Sequence, residues 1–164
     1  RSTEWAFQLI TQVCGRAGRR ADRKGRVLIQ TGNTNQKILQ KIIANDYEGM
    51  YAEEIVEREQ FKYPPFTRLI KLTVRHLEQS VARQVAEKLT HLLMEKMGED
   101  RVLGPQPPLV ERIRNRFLFD ILIKLEREKV NFKAAKTFIL EKVTDILTDK
   151  TLKGADVTID VDCL

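Results

Sequence analysis

Two arginines three residues apart, Arg16 and Arg19, stand in the stretch QVCGRAGRR at residues 12–20, with only Ala17 and Gly18 between them. A guanidinium keeps its charge at any working pH and presents a planar fork that pairs bidentately with phosphate oxygens. Two such forks on one helical face can close on a single polyphosphate, and Gly15, Ala17 and Gly18 leave room for the approach. Gln12 adds an amide on the same face. The pattern also fits a solvated basic helix end, whose cations complement the helix dipole. Two further basic clusters suit phosphate contacts. Residues 19–26 read RRADRKGR, five basic positions to one acidic, and RIRNR at 112–116 sets Arg112, Arg114 and Arg116 at alternate positions. A DNA contact and a solvated hairpin turn account equally well for the second.

These groups need elements to hold them. The periodicity predicts a helix over 3–18 with Gln8, Gln12, Arg16 and Arg19 on one side and Ala6, Ile10, Val13, Cys14 and Ala17 on the other. GRVLIQT at 25–31 has the composition of a buried parallel strand. Asn33 or Thr34 can cap a helix to about 44, and a further helix is expected from about Tyr47 to Phe61. Tyr63-Pro64-Pro65-Phe66 interrupts that pattern and sets the expected domain boundary, giving 1–62 and 63–164.

Beyond the prolines the alternation is cleaner. TRLIKLTVR at 67–75 reads as a strand, and 79–97 as a helix with Ala82, Val85, Ala86, Leu89 and Leu93 on one stripe, stopped by Gly98. VLGPQPP at 102–108 reads as a rigid approach to a strand near Leu109–Ile113, followed after a basic turn by a strand at 117–125. Asn131 caps a helix to about 148, and ADVTIDVD at 155–162 closes as a strand. The order strand, helix, strand, strand, helix, strand predicts a ferredoxin-like two-layer sandwich, so the chain is of α/β class, α+β in arrangement. Lys71, Thr73, Arg75, Asp120, Lys124, Thr158, Asp160 and Asp162 should then share the sheet face away from the helices. That face lacks aromatic residues on which bases could stack, which favours the arginine loop as the DNA contact.

Composition narrows the classes. At 164 residues and a net charge of +6, the chain suits a polyanionic partner and has the length to bury a full core. No apolar run approaches the roughly 20 residues of a membrane span, so no membrane partner is expected. Cys14 and Cys163 lie at opposite ends without a CxxC or a histidine at ligand spacing, so no metal site is expected and a reducing, cytoplasmic setting is. His76 and His91 are isolated and read as ordinary surface or core residues. Asp160 and Asp162 could share a metal, but no third ligand is evident and outward strand carboxylates explain them. The missing initiator Met and the immediate helical pattern suggest a piece of a longer protein.

QVCGRAGR resembles motif VI of superfamily-2 helicases, the Q-x-x-G-R-x-G-R signature of the second RecA-like lobe. The run from TQVCGRAGRR through GRVLIQT is similar to the primosomal protein N′ (PriA) family of replication-restart helicases. DYEGMYAEEIVEREQFKYPPF resembles that family's segment after the motor, VLGPQPP its next landmark and VTIDVD its last strand, so the resemblance covers nearly the whole chain. It departs at Cys14, commonly alanine in the family, and at Cys163, usually proline.

The resemblance implies that Arg16 and Arg19, with Gly15 beside them, reach across a cleft to ATP and its magnesium on the first lobe. Arg19 would be the arginine finger and Gln12 its support. It implies a full-length ATP-dependent 3′–5′ DNA helicase with a zinc module outside these residues, and a ribosomal-protein-S10-like C-terminal domain that binds DNA. The implied partners are stalled or branched forks, single strands, single-strand-binding protein and other primosome proteins. The chain holds no GxxxxGK[ST] loop and no DEAH-type motif, so it is not expected to hydrolyse ATP by itself. Two alternatives remain open: a non-catalytic docking module for branched DNA or single-strand-binding protein, and a different superfamily-2 motor.

Overall fold

The computed structural model describes residues 2–17, 25–149 and 152–163. They divide into two compact units, one running to Glu57 and the other from Arg58 to Cys163.

The first unit holds α1 (Ser2–Cys14), α2 (Lys37–Ile43) and most of α3 (Tyr47–Gln60). α1 is shorter than its periodicity predicts. It ends at Cys14, and Arg16 and Ala17 donate to Val13 and Cys14 in tight i to i−3 turns. Its buried residue is Phe7, with Ile10 packed behind it, whereas Val13 is exposed and does not share the inner face expected of it. Phe7, Leu39, Ile42 and Met50 form one small cluster. GRVLIQT is not a strand: residues 25–31 have no ladder, and Leu28 is 95% exposed. Apolar composition suits a strand, but only a hydrogen-bonded neighbour makes one, and among the described residues none lies beside it. Asn33 folds into a local turn, accepting the Asn35 amide at 3.0 Å, so α2 starts later than expected, at Lys37. Asp46 caps α3 by accepting the Gly49 amide at 2.8 Å, and Lys41 bridges Asp46 and Glu53 at 3.1 Å each.

The second unit is built on β1 (Thr67–His76), α4 (Gln79–Met97), β2 (Val102–Gln106), β3 (Arg112–Ile113), β4 (Arg116–Glu126), α5 (Phe132–Thr148) and β5 (Asp156–Val161). The strands form an antiparallel sheet in the order β2-β4-β1-β5, with β3 paired to β4. That order is the split-βαβ arrangement expected from the alternation. The α4 stripe Ala82, Val85, Ala86, Leu89 and Leu93 is wholly buried against Ile70, Leu72 and Val74 of β1 and Phe119, Ile121 and Ile123 of β4. α5 adds Ala135, Ile139, Val143 and Ile146 to the same core, and its Asn131 cap accepts the Ala134 amide at 3.1 Å.

Two sequence expectations are corrected here. VLGPQ is a strand rather than an approach, and the strand expected near 109–113 shrinks to Arg112–Ile113. β2 escapes the alternation because it is irregular. Its register with β4 shifts between Leu103 and Gln106, and Gly104, at φ 111°, brings its backbone so close to β4 that a Cβ would meet the Asp120 carbonyl at 2.7 Å.

The sheet face away from the helices is partly covered. Lys124 is buried there, its ammonium donating to the Phe61 carbonyl at 2.8 Å and lying 4.1 Å from the centre of the Tyr63 ring. Burial pushes its pKa down, and the neighbouring charge of Lys62 adds to that. The prolines thus introduce a strap: Arg58 donates to the Pro64 carbonyl at 3.1 Å, and Thr67 Oγ1 to the Lys62 carbonyl at 2.8 Å. Among the described residues no helix is long and apolar enough to cross a membrane.

Candidate nucleic-acid interface

β3 and β4 make a hairpin closed by two residues. Ile113 pairs with Arg116, so Arg114 and Asn115 form the turn, and both have positive φ, 47° and 64°. Such a turn matches the right-handed twist of the strands, but it normally recruits Asn and Gly. Arginine in the left-handed region costs about 1–2 kcal/mol relative to a relaxed backbone. A long cation is therefore held at the tip of the hairpin at some expense in stability.

The three arginines of RIRNR separate. Arg112 turns back on the hairpin, donating to Asn115 Oδ1 and stacking its guanidinium 4.8 Å from the Phe117 ring centre. Arg114 and Arg116 line an open cleft of about 710 Å³, together with Arg75, Ile113 and Asp156. Alternation puts Arg75 on the outer sheet face, but nothing local to TRLIKLTVR ties it to residues 112–116. Strand register does: Arg75 lies opposite Leu118 of β4 and opposite Asp156 of β5, which sets it beside the hairpin.

Arg75 and Asp156 approach to only 4.0 Å with both side chains well exposed, an ion pair worth little in water. Arg75 Nε is buried without a hydrogen-bond partner. Three guanidiniums thus face one carboxylate. The far wall is fixed from below by His76, whose Nδ1 accepts the Glu78 amide at 2.9 Å and whose Nε2 sits 3.2 Å from the Lys153 carbonyl. Gly154, at φ 90°, follows directly and lines the cleft. Three converging forks on a rigid sheet end can hold phosphate oxygens without rearrangement.

The other outer-face residues do not form a site. Thr73 Oγ1 donates to Asp120 Oδ1 at 2.7 Å, and Lys71 stands opposite Asp160 in the ladder. Asp162 departs from its expected place. β5 ends at Val161, Asp162 takes φ 58°, and its carboxylate lies 4.0 Å from Arg68, which faces the Phe132 ring of α5. Asp160 and Asp162 therefore do not converge on a shared metal. Among the described residues no three His, Cys, Asp or Glu side chains come together as metal ligands. Burial, and then the charge of Asp160, raises the Cys163 thiol.

At the other end of the chain, Gln12 is exposed on the last turn of α1, and Gly15 and Arg16 are exposed in the turns after it. Arg19 lies outside the described residues, as does most of the basic run RRADRKGR, so the geometry of the arginine pair is not given by this structure.

Residues 59–164 match the family model of the primosomal protein N C-terminal domain. The chain is 40% identical over 129 residues to the replication restart protein PriA of Bacillus subtilis, covering 78% of this chain and 16% of that protein. The corresponding protein of Synechocystis is 36% identical over 129 residues, covering 76% of this chain and 15% of its own length. That of Borreliella burgdorferi is 28% identical over 166 residues, covering 99% and 23%. The chain thus spans less than a quarter of the length of these relatives. The match over 59–164 contains the whole sheet, both helices packed on it and the arginine cleft, and the chain belongs to the primosomal protein N C-terminal domain family.

Proposed function

We propose that the chain is the C-terminal part of an ATP-dependent DNA helicase of replication restart, and that the cleft of Arg75, Arg114 and Arg116 is where its last domain holds the phosphates of a stalled or branched fork. That cleft carries the proposal: three guanidiniums on a rigid sheet end, one of them kept at a strained backbone position, opposed by one carboxylate. Similarity to proteins named for replication restart supports the setting. The partners proposed with it are DNA, single-strand-binding protein and other primosome proteins.

Phosphate contacts of this kind fix the orientation of the duplex and carry no sequence information. They suit a protein that must recognise fork shape wherever replication stops. Arg114 and Arg116 supply cations from the hairpin, and Arg75 one from the sheet.

Motif VI is the second half of the proposal. Arg16 and Arg19 would face ATP bound on another lobe, with Gly15 allowing close approach and Gln12 in support; bound ATP would supply the phosphoryl group to be transferred, and magnesium would offset charge on its phosphates. The role of these side chains is to neutralise charge on it, which in comparable motors is worth roughly 10³–10⁵ in rate. Zinc finds no ligand set among the described residues.

Two experiments test the two halves. Charge reversal at Arg114 and Arg116 should weaken binding of a labelled fork more than tenfold by fluorescence anisotropy, whereas Arg112→Glu, outside the cleft lining, should cost only a few-fold. Equal loss from both, or no loss, would contradict the cleft. In the full-length parent, Arg19→Ala should abolish DNA-stimulated ATP hydrolysis and leave fork affinity within a few-fold; retained hydrolysis would remove the finger role.

A further inference from the structure

The segment that enters the arginine hairpin is apolar and stands in solvent. Leu109 is 106% exposed and Val110 59%, and Ile113, which lines the cleft, is also exposed. Exposed leucines are ordinary when scattered. This one follows Pro107 and Pro108, whose fixed φ stiffens the approach and whose nitrogens donate nothing. The loop is tied at both ends: Gln106 pairs with Asp120, and the Glu111 carbonyl accepts the Leu118 amide at 2.9 Å. A short anchored loop therefore raises two aliphatic side chains at the open end of the hairpin, just before β3, while the arginine turn stands at its other end.

We propose that Leu109 and Val110 form an apolar wedge that presses into the base stack at the branch of a DNA whose phosphates are held by Arg75, Arg114 and Arg116. The proposal rests on the reading of the cleft as a DNA site. Proteins that deform DNA commonly insert Leu, Ile or Pro between base steps while cations nearby hold the backbone, and a branch point is already partly unstacked, so the cost of insertion is least there. The flanking charge decides between occupants. An apolar protein partner would meet a segment that runs directly into the basic Arg112–Arg116 hairpin, whereas DNA offers bases to the aliphatic side chains and phosphates to the arginines.

The test uses the 164-residue chain and a forked DNA carrying 2-aminopurine at the branch, whose fluorescence rises on unstacking. Binding of the unaltered chain should raise the signal several-fold. The double variant Leu109→Ala, Val110→Ala should bind within about threefold, with unchanged salt dependence, and lose most of the rise; both residues are exposed, and an unchanged thermal transition verifies the fold. A full rise from the double variant would overturn the wedge while leaving the phosphate cleft intact. Absence of fork binding by the unaltered chain would overturn the cleft and the wedge with it.

Discussion

The two units of this chain are stabilised on different scales. Among the described residues, the unit ending at Glu57 buries four apolar side chains, Phe7, Leu39, Ile42 and Met50, and leaves Trp5, Leu9 and Val13 exposed along one stripe of α1. The unit from Arg58 to Cys163 buries nineteen in one continuous cluster between a sheet and two helices. The first is marked by exposed apolar and basic groups, and the second by a core rigid enough to hold an arginine in the left-handed region. Stability and candidate chemistry therefore part company along the chain: Gln12, Gly15 and Arg16 of the proposed motif VI belong to the weakly packed unit and the cleft to the strongly packed one.

The contrast can be broken most forcefully in the core. Leu72→Ala or Ile121→Ala should cost the second unit about 2–5 kcal/mol in urea unfolding, because each empties a site with no room to collapse. Hydrogen exchange on the same protein should show α4, α5, β1 and β4 amides opening near the global unfolding free energy and α1 amides opening well below it. Equal protection in α1 and α4 would contradict the comparison.

A smaller effect sharpens it. Arg114→Gly should stabilise the second unit by about 1 kcal/mol, since glycine occupies positive φ without strain, while weakening fork binding. A stabilised variant with undiminished binding would leave the strained arginine without a purpose.

Acid should separate the units more subtly. Burial pushes the Glu126 carboxyl up, but the Arg101 hydrogen bond at 2.7 Å, its own backbone amide and the charges of Arg101 and Lys62 outweigh it, so its pKa falls below the ordinary 4.5. In the first unit the Gly49 amide, and then Lys41, lowers Asp46 from 3.8. Both groups have folded values below their unfolded ones. Each contributes stability above the unfolded pKa that is lost as the pH falls through the folded one. Glu126→Gln should therefore flatten the acid limb of stability below about pH 4.5. Added salt should weaken the Lys41–Asp46 contribution more than that of Arg101–Glu126, because the Asp46 carboxylate is the more exposed of the two.

Much of the second unit is readable from alternation alone, because β1, β4, β5, α4 and α5 each carry an uninterrupted apolar face that enters the one core. β2 is not, since Gly104 and Pro105 have the composition of a loop and only pairing with β4 makes them a strand. GRVLIQT fails in the opposite direction: it has the composition of a strand, and Ile29 packs on the small core, but no strand pairs with it among the described residues. The arginine hairpin is visible as a cluster, but its division is not. Arg112 is drawn away by Asn115 and Phe117, and Arg75 arrives from 37 positions before Arg112 through strand register. Lys124 illustrates the same limit: alternation places it on the outer face, and only the fold shows that the Phe61–Tyr63 strap buries it.

The cleft is tested most directly by the salt dependence of fork binding. Each phosphate neutralised on duplex DNA contributes about −0.9 to the slope of log affinity against log salt. With Arg75, Arg114 and Arg116 all changed to glutamine, the slope should become shallower by about 2–3, one phosphate for each cation removed. A parallel line at lower affinity, or no change at all, would contradict the assignment of these three arginines to phosphate.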